Sequence, residues 1–188
     1  THLVAGTDHN CVLLENGGVK CWGKGTPSGT TTNSNYNPVS VAEISNVTKL
    51  VAGDNHTCVI LANGETKCWG QNRSGQLGDG TEEATITPVA VSGLATTAID
   101  LAAGGEHTCA ALANGDVECW GKNWDGQLGD GTYENSTTTI FVLTGASGVA
   151  AGDAHTCALM EDNSIKCWGD NYGGQLGSGD SDWEINYP

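Results

Sequence analysis

Four times along this chain the tripeptide Cys-Trp-Gly recurs. Its tryptophan falls at Trp22, Trp69, Trp120 and Trp168, in steps of 47, 51 and 48 residues. A histidine two residues ahead of a cysteine falls at His9, His56, His107 and His155, in the same three steps. The stretch between the two marks therefore has one length in every copy, and all length variation lies outside it. Rigid modules joined by variable loops produce that pattern.

The module runs Ala-Gly-x-x-His-Thr-Cys, an apolar segment, a turn, then Cys-Trp-Gly. The third copy shows it from Ala103-Gly104 through Cys109 to Cys119-Trp120-Gly121 and on into Asn123-Trp124-Asp125-Gly126-Gln127-Leu128-Gly129. Copies two and four carry the same tail, Gly75-Gln76-Leu77-Gly78 and Gly174-Gln175-Leu176-Gly177; copy one has Pro27-Ser28-Gly29 and a Thr/Asn-rich loop instead. Each unit offers four short strands: a Pro-Val run such as Pro38-Val39 or Pro88-Val89, a run into Ala-Gly, the His-Thr-Cys run and the run into Cys-Trp-Gly. No segment holds a 3.6-residue apolar period long enough for a helix. The chain has one Phe, one Met and 28 Gly, which fits many small cores and tight turns rather than one large core. One four-stranded sheet per ~48 residues is the economy of a propeller blade. The expectation is an all-β propeller array of about four antiparallel blades, with units 1–37, 38–87, 88–139 and 140–188.

The cysteines pair off as Cys11/Cys21, Cys58/Cys68, Cys109/Cys119 and Cys157/Cys167, each ten residues apart. Opposed residues of a hairpin have constant summed positions, so the midpoints are Asn16, Asn63, Asn114 and Asp162. A midpoint on a residue means an odd loop, and the three-residue hairpin loop ends with a left-handed residue. That position reads Gly17, Gly64, Gly115 and Asn163, the residue types that enter this conformation most readily. The spacing predicts cysteines facing across one hairpin and bonded there. Each such bond is worth roughly 2–3 kcal/mol in the chain-entropy model. The alternative is a His/Cys/Cys metal cluster, which lacks a recurring fourth ligand.

The residues Ala-Gly-x-x-His-Thr, Asn-Gly before Cys-Trp-Gly, and Asn-x-x-Gly-Gln-Leu-Gly resemble the repeats of the regulator of chromosome condensation family. The resemblance implies a β-propeller, usually of seven blades. The cysteine pair resembles the variant of secreted bacterial members. Functions that the resemblance brings into view range from nucleotide exchange on a small GTPase to inhibition of secreted β-lactamases, and fold does not choose between them. Four repeats are fewer than such a ring, and the ends are out of phase by nine residues, the equivalents of Val39 to Val47. The chain also lacks an initiator Met. The expectation is part of a longer propeller, or a chain whose missing strand another chain supplies.

Charge narrows the partners. With 7 Lys+Arg against 22 Asp+Glu, a net charge of −15, the chain cannot supply the positive field that nucleic acid demands. No apolar run approaches the roughly 18 residues needed to span a bilayer. Eight cysteines, an even number at regular spacing, point to an oxidising, secreted or cell-surface setting. An active site occurs once per domain, so residues present in every copy read as architecture. His9, His56, His107 and His155 are expected buried and bonded to nearby backbone, and Trp22, Trp69, Trp120 and Trp168 are expected as blade anchors. Neither a nucleophile elbow nor a phosphate loop is present, and no enzyme or cofactor is expected.

Specificity is sought where copies differ. Arg73, Trp124 and Tyr172 occupy one matched loop position in successive copies, and such residue types favour binding hot spots. They are the candidate binding residues for a protein partner of unknown identity. The alternative function is structural, with copies of the chain assembling into a ring or fibre. Acidic loop residues Asp79, Glu82, Glu83, Asp130, Glu134, Asp180, Asp182 and Glu184 lack the spacing of a calcium loop. Glycosylation sequons occur at Asn46, Asn55, Asn72 and Asn135.

Overall fold

The computed structural model describes residues 1–24, 34–179 and 184–188. The Pro27-Ser28-Gly29 loop, Asp180 and Asp182 lie outside these residues. The described chain forms four antiparallel four-stranded sheets and no helix. The first blade is β1 (His2–Ala5), β2 (His9–Leu13), β3 (Val19–Lys24) and β4 (Ser34–Ser40). The second is β5 (Val47–Ala52), β6 (His56–Leu61), β7 (Thr66–Gly70) and β8 (Thr85–Ala90). The third is β9 (Ala98–Ala103), β10 (His107–Leu112), β11 (Val117–Gly121) and β12 (Ser136–Leu143). The fourth is β13 (Ala146–Ala151), β14 (His155–Met160), β15 (Ile165–Asp170) and β16 (Glu184–Ile185).

The hairpin geometry follows the predicted register. Cys11 faces Cys21, Cys58 faces Cys68, Cys109 faces Cys119 and Cys157 faces Cys167, each pair disulfide-bonded with Cα atoms 4.1 Å apart. The third loop residues have φ of 76°, 85°, 86° and 68° at Gly17, Gly64, Gly115 and Asn163. The residue before each is an Asn or Asp whose Oδ1 accepts the main-chain N–H two positions on, at 2.9–3.1 Å. That short bond closes the turn locally. With every cysteine oxidised, the metal-cluster alternative loses its thiolates.

The two Pro-Val runs close the first and second sheets rather than opening the next. Val39 pairs with Cys21 and Val89 with Cys68, so Pro38 and Pro88 sit on the outer edge strand. An edge strand tolerates the lost N–H. The units drawn at 38, 88 and 140 therefore cut β4, β8 and β12 internally.

The core lies between sheets. Each blade's disulfide face meets the tryptophan face of the next blade: Cys11 and Cys21 share a cluster with Trp69, Cys58 and Cys68 with Trp120, and Cys109 and Cys119 with Trp168. Side chains alternate across a strand, so the neighbours Cys and Trp of one tripeptide serve opposite joints. The strands entering Ala-Gly, β1, β5, β9 and β13, stand side by side at the centre. Their ends are laced by main-chain bonds, Thr7 N–H to Asp54 O (2.9 Å), Asp54 N–H to Gly105 O (3.2 Å) and Gly105 N–H to Asp153 O (2.9 Å). On β9, Asp100 takes Lys49 of the second blade and the Val149 N–H of the fourth, tying three blades.

Candidate recognition surface

The joints fix the loops. His56 Nε2 lies 2.9 Å from Thr108 Oγ1 of the next blade, and Thr108 Oγ1 lies 3.0 Å from the Gln76 carbonyl. A carbonyl only accepts, so the threonine proton goes to Gln76 and His56 must donate from Nε2. Trp120 Nε1 donates to the same carbonyl at 3.0 Å. The next joint repeats the relay: His107 to Thr156 at 2.9 Å, Thr156 to Gln127 O at 2.9 Å and Trp168 Nε1 to Gln127 O at 3.0 Å. His9 meets Thr57 at 2.8 Å. At these three joints the histidine's bonding partner is thus a hydroxyl of the following blade, where nearby backbone was expected. His9 also has a main-chain bond to Asp54.

Burial pushes the imidazoles of His56 and His107 down to about 3, helped for His56 by the neighbouring His107 and His9 charges and for His107 by His155 and Lys122. Burial also lowers His9, against the opposing Asp54 main chain and Asp8 carboxylate. These rings stay neutral, with Nδ1 of His56 and His107 buried and unpaired as a bare lone pair. The glycine of Ala-Gly exists for the ring: a Cβ on Gly53 would sit 2.2 Å from His56 Cε1, and one on Gly104 2.2 Å from His107 Cε1.

The Gln-Leu tail, whose role sequence reasoning left unassigned, is the latch between blades. Leu77 and Leu128 plug the joint cores while the Gln76 and Gln127 carbonyls receive the next blade's donors. Its recurrence as Gly-Gln-Leu-Gly in copies two, three and four was the available signal. The loop base is fully buried: Asn72 Oδ1 accepts Leu77 N–H at 2.9 Å, and Asn123 Oδ1 accepts Leu128 N–H at 2.9 Å. Asn72 Nδ2 and Asn123 Nδ2 donate to Asp79 and Asp130, whose Oδ1 atoms also hold Thr81 and Thr132. Those two acidic residues are therefore committed to their own loops, while Glu82, Glu83 and Glu134 are exposed. Asn72, buried in this net, is closed to glycosylation in the folded chain; Asn46 and Asn135 are exposed, and Asn55 is half-buried.

On these bases stand the differing residues. Arg73 is exposed, Trp124 is 66% exposed and Tyr172 is 79% exposed, each at the same loop position of blades two, three and four. Lys122 Nζ stands 4.9 Å over the Trp124 ring, and it also reaches Glu106 Oε2 at 3.7 Å. The Tyr172 N–H is held by Asp170 Oδ1 at 2.9 Å. The three side chains thus occupy matched positions in the equivalent loops of successive blades.

Stacked four-stranded blades joined face to face define a β-propeller repeat protein. The regulator of chromosome condensation (RCC1) repeat matches residues 1–26, 47–76, 98–127 and 147–175, and a second description of that repeat matches 63–111 and 114–159. The chain belongs to the RCC1 repeat family. Among solved structures it is similar to Prp20p of Saccharomyces cerevisiae, with TM-score 0.85 and 20% identity, covering 100% of this chain and 49% of that one. It is similar to human WBSCR16, with TM-score 0.85 and 22% identity over 100% of this chain and 52% of that one. The ectodomain of the Physcomitrella patens receptor kinase CR4 is 28% identical, with TM-score 0.52, over 89% of this chain and 39% of that one. The chain spans about half the length of the first two relatives.

Proposed function

We propose that this chain is a non-catalytic recognition segment that works in an oxidising, extracellular setting and binds a protein partner through the rim of Arg73, Trp124 and Tyr172. The observation carrying this reading is the contrast inside each loop, where a buried Asn holds an exposed tip whose identity changes from blade to blade. A fixed base lowers the ordering cost of binding. Arg, Trp and Tyr are the types enriched at binding hot spots. Three of the repeated histidines are occupied in joints, which argues against chemistry at them.

Four disulfides favour an oxidising compartment. The CR4 ectodomain is a related precedent outside the cell. Prp20p, whose structure was reported with its binding to Gsp1p and histones, is a precedent for protein binding. Nucleotide exchange on a GTPase fits the disulfides poorly. The test is capture of partners on the immobilised chain beside the triple variant Arg73→Ala, Trp124→Ala, Tyr172→Ala. Loss of even one hot spot, about 2 kcal/mol, predicts binding of a captured partner at least about 30-fold weaker. Retention at full strength would remove the rim from the account.

A further inference from the structure

The three internal joints are built alike except at one level. Two positions before the second cysteine, on the disulfide face, stand Val19, Thr66 and Val117. Two positions before the tryptophan of the facing blade stand Lys67, Glu118 and Lys166. Side chains two apart share a strand face, so the joints carry Val19 with Lys67, Thr66 with Glu118, and Val117 with Lys166. Only the joint between the second and third blades combines a hydroxyl with a carboxylate, and each of those blades has a neighbour on both faces. Thr66 is 3% exposed and Glu118 5%. Glu118 Oε1 accepts the Ala95 N–H at 3.2 Å, whereas Glu118 Oε2 and Thr66 Oγ1 are buried with no hydrogen-bond partner. A carboxylate oxygen left bare away from water is costly. Across the sheet Glu118 pairs with Phe141, 58% exposed, where Lys20 pairs with Ser40 and Lys67 with Ala90. One blade thus reverses the charge and adds an aromatic ring at a matched point. Thr66 also lines a cavity of about 350 Å3 between the β6–β7 turn and the linker from Val91 to Thr97. Ala95, held by Glu118, lies between two of its lining residues, Leu94 and Thr96.

We infer that this joint is a second binding site, for an ammonium group carried on a slim apolar stem. An ammonium has three donors and no acceptor, which suits two bare oxygens, one of them on a carboxylate. The Phe141 ring supplies a cation-attracting face beside Glu118, and Val91 and Leu94 supply apolar wall for the stem. Glu65 and Glu118 together disfavour an anion there. Both bare oxygens are sealed, so the entering group lifts the linker, whose Ser92, Gly93, Ala95 and Thr97 are exposed. It then competes with the Ala95 N–H for the Glu118 carboxylate. Thr66 and Glu118 stand at the start of β7 and β11, while the Arg73 and Trp124 loops follow the far ends of those strands. The site is therefore separate from the loop tips, and either reading can fail alone.

The test is titration of the oxidised chain with n-butylammonium chloride at constant total chloride, followed through the amide signals by proton–nitrogen NMR. Saturable shifts are expected at Thr66, along the linker from Val91 to Thr97 and at Phe141, and none with n-butanol. Glu118→Gln keeps the size and removes the charge; it should weaken binding about tenfold or more. Phe141→Ser, which copies Ser40 at an exposed position, should weaken it about two- to fivefold. Thr66→Val combined with Glu118→Lys rebuilds the joint as its two neighbours have it, so folding is kept, and should abolish the shifts. A parallel titration with Nα-acetyl-lysine N-methylamide separates the sources. Tighter binding than butylammonium assigns the site to a lysine side chain of a protein, and weaker binding assigns it to a free amine; both uphold the ammonium. Equal shifts with n-butanol, shifts unchanged in Glu118→Gln or in the double variant, or shifts spread over the exposed acidic loops would overturn the inference. So would the absence of saturation.

Discussion

The third and fourth blades share His-Thr-Cys, Cys-Trp-Gly and Gly-Gln-Leu-Gly, yet live in different surroundings. The third is enclosed on both faces: Trp120 is sealed against the second blade, and His107, Val117 and the Cys109–Cys119 bond against the fourth. The fourth is enclosed on one face only, with Trp168 covered and Ile165 open. The same residues thus contribute stability in proportion to whether a neighbouring blade stands over them. In such an array stability is approximately a sum of blade terms and nearest-neighbour joint terms.

The largest expected effect sharpens that comparison at the tryptophans, read by urea unfolding in dilute solution. Trp120→Ala should cost about 3–5 kcal/mol, the range for emptying a core aromatic site. Trp22→Ala, on the half-open first face, should cost less than about half of that. Equal costs would break the comparison.

Acid should act on the enclosed joints next. The folded pKa of His56 and His107 lies near 3, below the ordinary 6.5, so the unfolded chain takes up protons first and acid favours unfolding. Their contribution is complete above about pH 6.5 and is lost as pH falls toward 3. By pH 4 the loss is on the order of 3 kcal/mol for each ring. Asn in place of both histidines should flatten the pH dependence of the unfolding free energy in this window; an unchanged slope would contradict the assignment.

Disulfide removal is the third comparison. Both bonds close loops of the same length, with a sequence separation of 10, so chain entropy alone gives roughly 2–3 kcal/mol for either. Replacing Cys109 and Cys119 by Ala should cost more than replacing Cys157 and Cys167, because only the former also loosens a sealed joint. The smallest effect is at the relay hydroxyl. Thr108→Val should cost about 1–2 kcal/mol by leaving the His56 N–H buried and unpaired, whereas Asn10→Ala at the open end should stay within about 0.5 kcal/mol in the same unfolding assay.

The sequence made the hairpins legible because their rules are local: cysteine spacing fixed the register, and Gly17, Gly64, Gly115 and Asn163 fixed the loop. It assigned the Pro-Val runs to the start of the following unit, whereas Val39 and Val89 pair into the preceding sheet; a cyclic repeat reads the same whichever strand is counted first. The His–Thr–Gln–Trp relay was also hidden, because its members lie on neighbouring blades, His56 and Thr108 being 52 residues apart. The matched loop positions of Arg73, Trp124 and Tyr172 were legible from the repeat, and all three are exposed. The burial of Asn72 and Asn123 beneath the tips of their loops required coordinates.

Long-range proton–nitrogen NMR of the imidazoles between pH 8 and 5 tests most directly the idea that recurring histidines are consumed in holding blades together. His56 and His107 should show a single neutral form protonated at Nε2, unchanged across the range. Titration of either ring near the ordinary histidine value, or a proton on Nδ1 instead, would contradict the relay on which the joint, and the account, stands.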